Sequence, residues 1–191
     1  MLELFTNTLT FPGAVVHEWA HAAAARSRGL RVRDVVLFRP LANPAGYVRH
    51  DRARRPGDAL AIAIAPFVLN TVLALLAALP FAPALGYGWE AGAVVLWLSW
   101  SLALHALPSF EDMVDVDRLS PDRLTRTGLA IALTPLRLLK AGEIVGTGYL
   151  FATIVVVVGV LGSLAWHHDA ATALALVESI VELGRALVDV I

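Results

Sequence analysis

Polar residues fall in blocks along this chain and leave long apolar runs between them. Three runs carry no charge: Ala59 to Trp89, Ala91 to Phe110 and Ile144 to Trp166. A bilayer crossing takes about 20 mostly apolar residues, so each run is long enough for one spanning helix. Pro80 and Pro83 place the end of the first of these helices near Leu79, with a turn after it. His105 is the single ionisable group of the second run. A fourth stretch, Leu4 to Ala25, is apolar except for His17, Glu18 and His21. It does not read as a signal peptide, because Met1-Leu2-Glu3 lacks a basic start and Arg26 comes at the wrong end.

Between the first two spans the period changes. Val32 to Phe38 is β-branched and mixed, Asn43-Pro44-Ala45-Gly46 supplies turn chemistry, and Tyr47-Val48-Arg49-His50 follows as a second short strand. The pattern predicts a short β-hairpin. Near the other end, Glu178, Glu182, Arg185 and Asp189 form one polar stripe of a helix over 170–191. That amphipathic helix fits the membrane interface, or packing on the bundle, better than a fifth span. Gly128 to Leu139 is too short to cross and is expected at the interface as well. The fold class expected is an all-α integral membrane protein: about four transmembrane helices plus interfacial helices, and one hairpin. It reads as a single domain over 1–191, with an additional span at 145–166.

Composition supports the membrane reading. Hydrophobic residues are 58% and charged residues 16% of 191, and the mean hydropathy is +0.69. Soluble chains average about 45–50% and about 25%, and a small domain cannot hide such an apolar excess from water. Lipid is the expected covering. The absence of cysteine excludes disulfides, thiol catalysis and Cys-ligated metals. A net charge of −1 offers no global attraction to nucleic acid, and none is expected as a partner. Nine of the fifteen basic residues lie between Arg26 and Arg55, and five more between Arg118 and Lys140. The positive-inside rule puts both arginine-rich loops in the cytoplasm and the N-terminus outside. Alternation of the spans puts these two loops on one side independently.

Ionisable groups within a span are costly and mark function. His17-Glu18-Trp19-Ala20-His21 is an HExxH motif. On a helix His17 and His21 share one face and can bind one metal ion, while Glu18 sits beside them as a general base for water. A catalytic zinc needs a third protein ligand and an open position. His50 lies in the hairpin, and His167 and His168 are expected on the opposite side of the membrane. The preferred third ligand is Asp112, just past the helix-stopping Pro108, ahead of Glu111, Asp115 and His105. Asp115 and Asp117, beside Arg118, also read as a solvated face. His105 serves at least as well in orienting a ligand or packing a helix as in binding metal. Asn70, on the second span, is placed either to bind substrate backbone or an oxyanion, or to tie two helices together.

These residues resemble a family. Phe11-Pro12-Gly13-Ala14-Val15-Val16-His17-Glu18-Trp19-Ala20-His21 is similar to the first core helix of the site-2 proteases, intramembrane zinc metalloproteases. Gly46-Tyr47-Val48 resembles the glycine–tyrosine turn that follows in that family. Ala65-Pro66-Phe67-Val68-Leu69-Asn70 looks like its Gly-Pro-x-x-Asn helix, with alanine in place of glycine. His105-Ala106-Leu107-Pro108 falls where the family has Asn-x-x-Pro before an Asp-Gly ligand. Here Asp112 is followed by Met113 and lies one residue closer to the proline. The resemblance covers about residues 10–115, in order, and implies a compact branch without a PDZ or nucleotide-binding domain, like the short membrane zincins of archaea and bacteria. The function it implies is a zinc endopeptidase cleaving membrane-protein or peptide substrates in or near the bilayer. The alternative is a membrane protein that binds metal or ligand without hydrolysis.

Overall fold

The computed structural model describes residues 2–109, 112–113, 116, 127, 133–135, 138 and 147–167. The chain is mostly helical, with one two-stranded antiparallel sheet. In order, the elements are α1 (Leu2–Leu9), α2 (Phe11–Ser27), β1 (Val32–Val36), β2 (Tyr47–His50), α3 (Pro56–Ala78), α4 (Phe81–Leu85), α5 (Trp89–Leu104) and α6 (Thr147–Trp166). Among the described residues, α3 and α6 are long and apolar enough to cross a membrane. At 17 and 16 residues, α2 and α5 are shorter. Glu111, Asp115, Asp117, His168, most of Gly128 to Leu139 and the segment 170–191 lie outside the described residues.

Prolines account for two departures from the apolar pattern. Leu4 to Ala25 is not one helix: it breaks at Thr10, between α1 and α2. Pro12 has no N–H to give to the carbonyl four residues back, so a continuous helix loses a bond there, whereas the first turn of a new helix tolerates it. The run Ala91 to Phe110 likewise yields a helix that stops at Leu104. Pro108 would clash with the carbonyl of Leu104 in a continuing helix, and it biases Leu107 away from helical geometry. Residues 105–109 therefore run on as buried irregular chain, with Ala106, Leu107 and Pro108 almost wholly enclosed.

The bundle of α3, α5 and α6 closes on small residues. Ala74, Ala78, Ser99, Ala103 and Ala152 are fully buried. Small side chains let helix backbones approach closely. Ser99 Oγ donates to the Ala74 carbonyl at 2.8 Å, and Ser163 Oγ to that of Leu79, so hydroxyls join α5 and α6 to α3. Large apolar residues point outward instead: Val68, Val72 and Leu76 on α3, and Leu150, Ile154 and Val158 on α6. Tyr87, Trp89 and Trp166 are exposed at the end where α5 begins and α6 finishes.

α2 packs against α3 and α5, and approaches α5 closely at Gly13. A Cβ there would lie 1.9 Å from the Ser101 carbonyl oxygen. Gly13 N–H donates to Ser101 Oγ at 2.9 Å, and that hydroxyl donates to the Thr10 carbonyl. The hairpin pairs Val35 with Val48 and Val36 with Tyr47, with a bulge between Val32 and Asp34. It folds back along α2: Phe38 rests on Phe11, 5.7 Å between ring centres, and Leu41 N–H donates to Thr8 Oγ1. The hairpin's open end, where β1 starts and β2 stops, sits where α2 ends and α3 begins.

Candidate metal centre

His17 and His21 stand one turn apart on α2, their ring centres 4.8 Å from each other. Each has an orienting partner on the Nδ1 side. His17 Nδ1 lies 2.7 Å from the carbonyl oxygen of His105, and His21 Nδ1 lies 3.0 Å from that of Ile62. A carbonyl only accepts, so each Nδ1 carries a proton, and in the neutral ring Nε2 is then left as a lone pair. The two Nε2 atoms face each other at 3.2 Å. Two lone pairs so close repel unless a proton or a cation lies with them.

The third group comes from the far side of the helix break. Asp112 Oδ1 is 3.4 Å from His21 Nε2, and Asp112 Oδ2 is 4.0 Å from His17 Nε2. Ser109 holds this carboxylate: its N–H and its Oγ–H both donate to Oδ2 at 2.7 Å, while its Oγ accepts from the Asp112 N–H. This is a reciprocal capping arrangement, Ser-x-x-Asp. One break therefore serves two of the three groups. In a continuing helix the Ser109 N–H would bond the His105 carbonyl; here it bonds Asp112, and the His105 carbonyl is left for His17. His17, His21 and Asp112 form a group, within 4.8 Å, that could hold a metal ion.

Glu18 occupies the next position on α2, turned toward the hairpin. It is half-buried and makes no hydrogen bond among the described residues. Room for it exists because residue 46 is glycine. A Cβ on Gly46 would lie 2.6 Å from Glu18 Cγ and within 2.8 Å of the Leu37 and Val36 carbonyls. The hairpin turn thus passes against the flank of the candidate base.

The other expected residues fall around this group. Asn70 is fully buried, and its Nδ2 donates to the Gly13 carbonyl at 3.2 Å and to the His105 carbonyl at 2.8 Å. The Nδ2 bonds join α3 to α2 and to the end of α5, while Oδ1 has no hydrogen-bond partner among the described residues. His105 orients His17 through its carbonyl; its ring pairs with Thr10 Oγ1 at 2.8 Å and is not part of the group. His50 closes on the Asp51 carbonyl at the hairpin's open end. Sequence reasoning missed Ser109. Its signal was there, a Ser three residues before Asp112.

Compared with family models, with curated proteins and with solved structures, this chain matches none.

Proposed function

We propose that this chain is an intramembrane zinc endopeptidase. The observation that carries the reading is the convergence of two oriented Nε2 atoms and one carboxylate, with Glu18 beside them and without a hydrogen bond among the described residues. Zinc bonds of about 2.0–2.1 Å in a tetrahedral site put neighbouring ligand atoms about 3.3 Å apart. The separations of 3.2 and 3.4 Å fit that edge, and the 4.0 Å one closes with a small rotation of the Asp112 carboxylate. Two His and one carboxylate leave a position open, as a catalytic site requires.

Bound there, zinc would supply Lewis acidity, acidifying water and polarising a scissile carbonyl. His17 and His21 hold it through Nε2, kept in that tautomer by the His105 and Ile62 carbonyls. Glu18 takes the proton of the attacking water and returns it to the leaving amine. The resemblance to the site-2 proteases points the same way, and with it the substrate class, a membrane-protein or peptide segment.

The membrane setting belongs to the same proposal. α2 with α1, α3, α5 with the chain after it, and α6 make four crossings, with the N-terminus outside. Arg26, Arg31, Arg52, Arg54 and Arg55 are exposed at one end, Tyr87, Trp89 and Trp166 at the other. Basic residues suit the cytoplasmic boundary and aromatic ones an interface. Ile62 lies six residues along α3 from Pro56, about 9 Å of helix, so the site sits shallow on the basic side.

Metal analysis with a cleavage assay on a transmembrane peptide tests the reading. His17→Ala and His21→Ala are expected to lose zinc and cleavage, and Glu18→Gln to keep zinc and lose cleavage. Equal zinc in all three proteins would remove the metal site. A Glu18→Gln protein as active as the unaltered chain would leave a metal-binding protein without this chemistry.

A further inference from the structure

The carbonyl that orients His21 has an unusual origin. Ile62 lies inside α3, where each carbonyl ordinarily accepts from the N–H four residues on. Four residues after Ile62 is Pro66, which is inside α3, fully buried, and has no N–H. The Ile62 carbonyl is thus deprived of its usual helical donor in a place where water does not reach. His21 Nδ1, 3.0 Å away, takes that place. Interior helix carbonyls left open by proline need a partner, and a neighbouring helix supplies one here.

We infer that Pro66 is a positioning residue of the metal site: by withholding an N–H, it assigns the Ile62 carbonyl to His21 and fixes the His21 tautomer with Nε2 toward Asp112. The inference rests on the metal reading above for its consequence, but the hydrogen-bond pattern exists without metal. It also pairs with the other histidine. Pro108 ends α5, and past that end the Ser109 N–H turns to Asp112 and leaves the His105 carbonyl to His17, so a proline stands behind the orienting carbonyl of each histidine, directly for His21 and through the helix end for His17. In both places the cost is a lost helical bond, and the return is a fixed imidazole.

Pro66→Ala restores the N–H and closes the Ile62 carbonyl within α3. A merely structural role for Pro66 predicts that stability and metal affinity fall together. The positioning role predicts that they part: the melting temperature of the full chain in detergent holds or rises, while zinc affinity, measured by chelator competition, falls about 10–100-fold, the range for losing a ligand's orienting partner. Imidazole nitrogen-15 shifts of His21 in metal-free protein supply a second readout. They are expected to show Nδ1–H in the unaltered chain and a mixture of tautomers in Pro66→Ala. Unchanged zinc affinity in a folded Pro66→Ala protein overturns the inference, and so does an Nε2–H tautomer at His21 of the unaltered chain. If the unaltered chain binds no zinc, the metal reading fails instead, and the nitrogen shifts alone decide whether proline sets the tautomer.

Discussion

Replacing Gly13 by alanine adds one methyl group at the crossing of α2 and α5, and the consequences can be worked through. The new Cβ would meet the Ser101 carbonyl oxygen at 1.9 Å, its carbon at 2.6 Å and His105 Cδ2 at 2.9 Å. Two of those atoms are backbone and cannot rotate away. Carbon–oxygen contacts settle at about 3.3–3.6 Å, so the helices must part by about 1.5 Å. The hydrogen bond from His17 to the His105 carbonyl, now 2.7 Å, then passes beyond useful range. Alanine favours helix by about 0.5–1 kcal/mol over glycine. Against that stand overpacking at about 1–3 kcal/mol and the weakened Gly13 bonds to Ser101 and Asn70 at about 0.5–1.5 kcal/mol each. The balance is a loss of about 3 kcal/mol, equivalent to a fall in melting temperature of about 6–12 °C for a chain this size. Thermal unfolding in detergent, followed by intrinsic fluorescence, measures it, and zinc affinity should fall in the same protein. A Gly13→Ala chain that melts and binds zinc like the original would show that the two helices do not meet this closely, and the account of how His17 is held would go with it.

Further outcomes follow from the same geometry. Asp112→Asn should weaken zinc by at least the 10–100-fold expected of an indirect partner, and Ser109→Ala by about that much, read by chelator competition; normal affinity in both would place the third ligand elsewhere. Gly46→Val should press on Glu18 and the hairpin carbonyls, keeping zinc while cleavage falls, and full cleavage would show that the turn does not confine the base. A cysteine placed at Arg54 should be labelled only from the cytoplasmic side and one at Gly88 only from outside, and the reverse labelling would invert the proposed orientation.

The sequence made the histidine pair legible because helical spacing alone brings positions four apart together. The hairpin was legible through the turn residues at 43–46, and the apolar runs located α3 and α6. Asp112 was reached by reasoning from Pro108, and the geometry that holds it, through Ser109, was readable in principle as a capping pattern. What stayed hidden was backbone. Hydrophobic runs do not show that Pro12 divides the first stretch at Thr10, or that Pro108 stops α5 as early as Leu104. Nor does a side-chain pattern reveal which carbonyls are left open, so the partners of His17 and His21 had no signature. Asn70 was ambiguous for a related reason: an amide inside an apolar span serves a ligand or a neighbouring helix, and its Nδ2 bonds to Gly13 and His105 became visible only in the fold.

The ligand group also has a mechanical consequence. His17 and His21 belong to the first packed helix, whereas Asp112 lies some ninety residues later, beyond α5. An ion held by all three would therefore clasp the start of the chain to the segment after α5. If the helices are inserted in a bilayer, as proposed, they could associate loosely before that clasp closes, since packing between them is worth little per contact. Once closed, α2 could leave the bundle only by releasing a ligand, and the bound state would gain stability in proportion to the logarithm of metal concentration. Assembly and competence would then be one event: a bundle able to bind the ion is a bundle already correctly threaded.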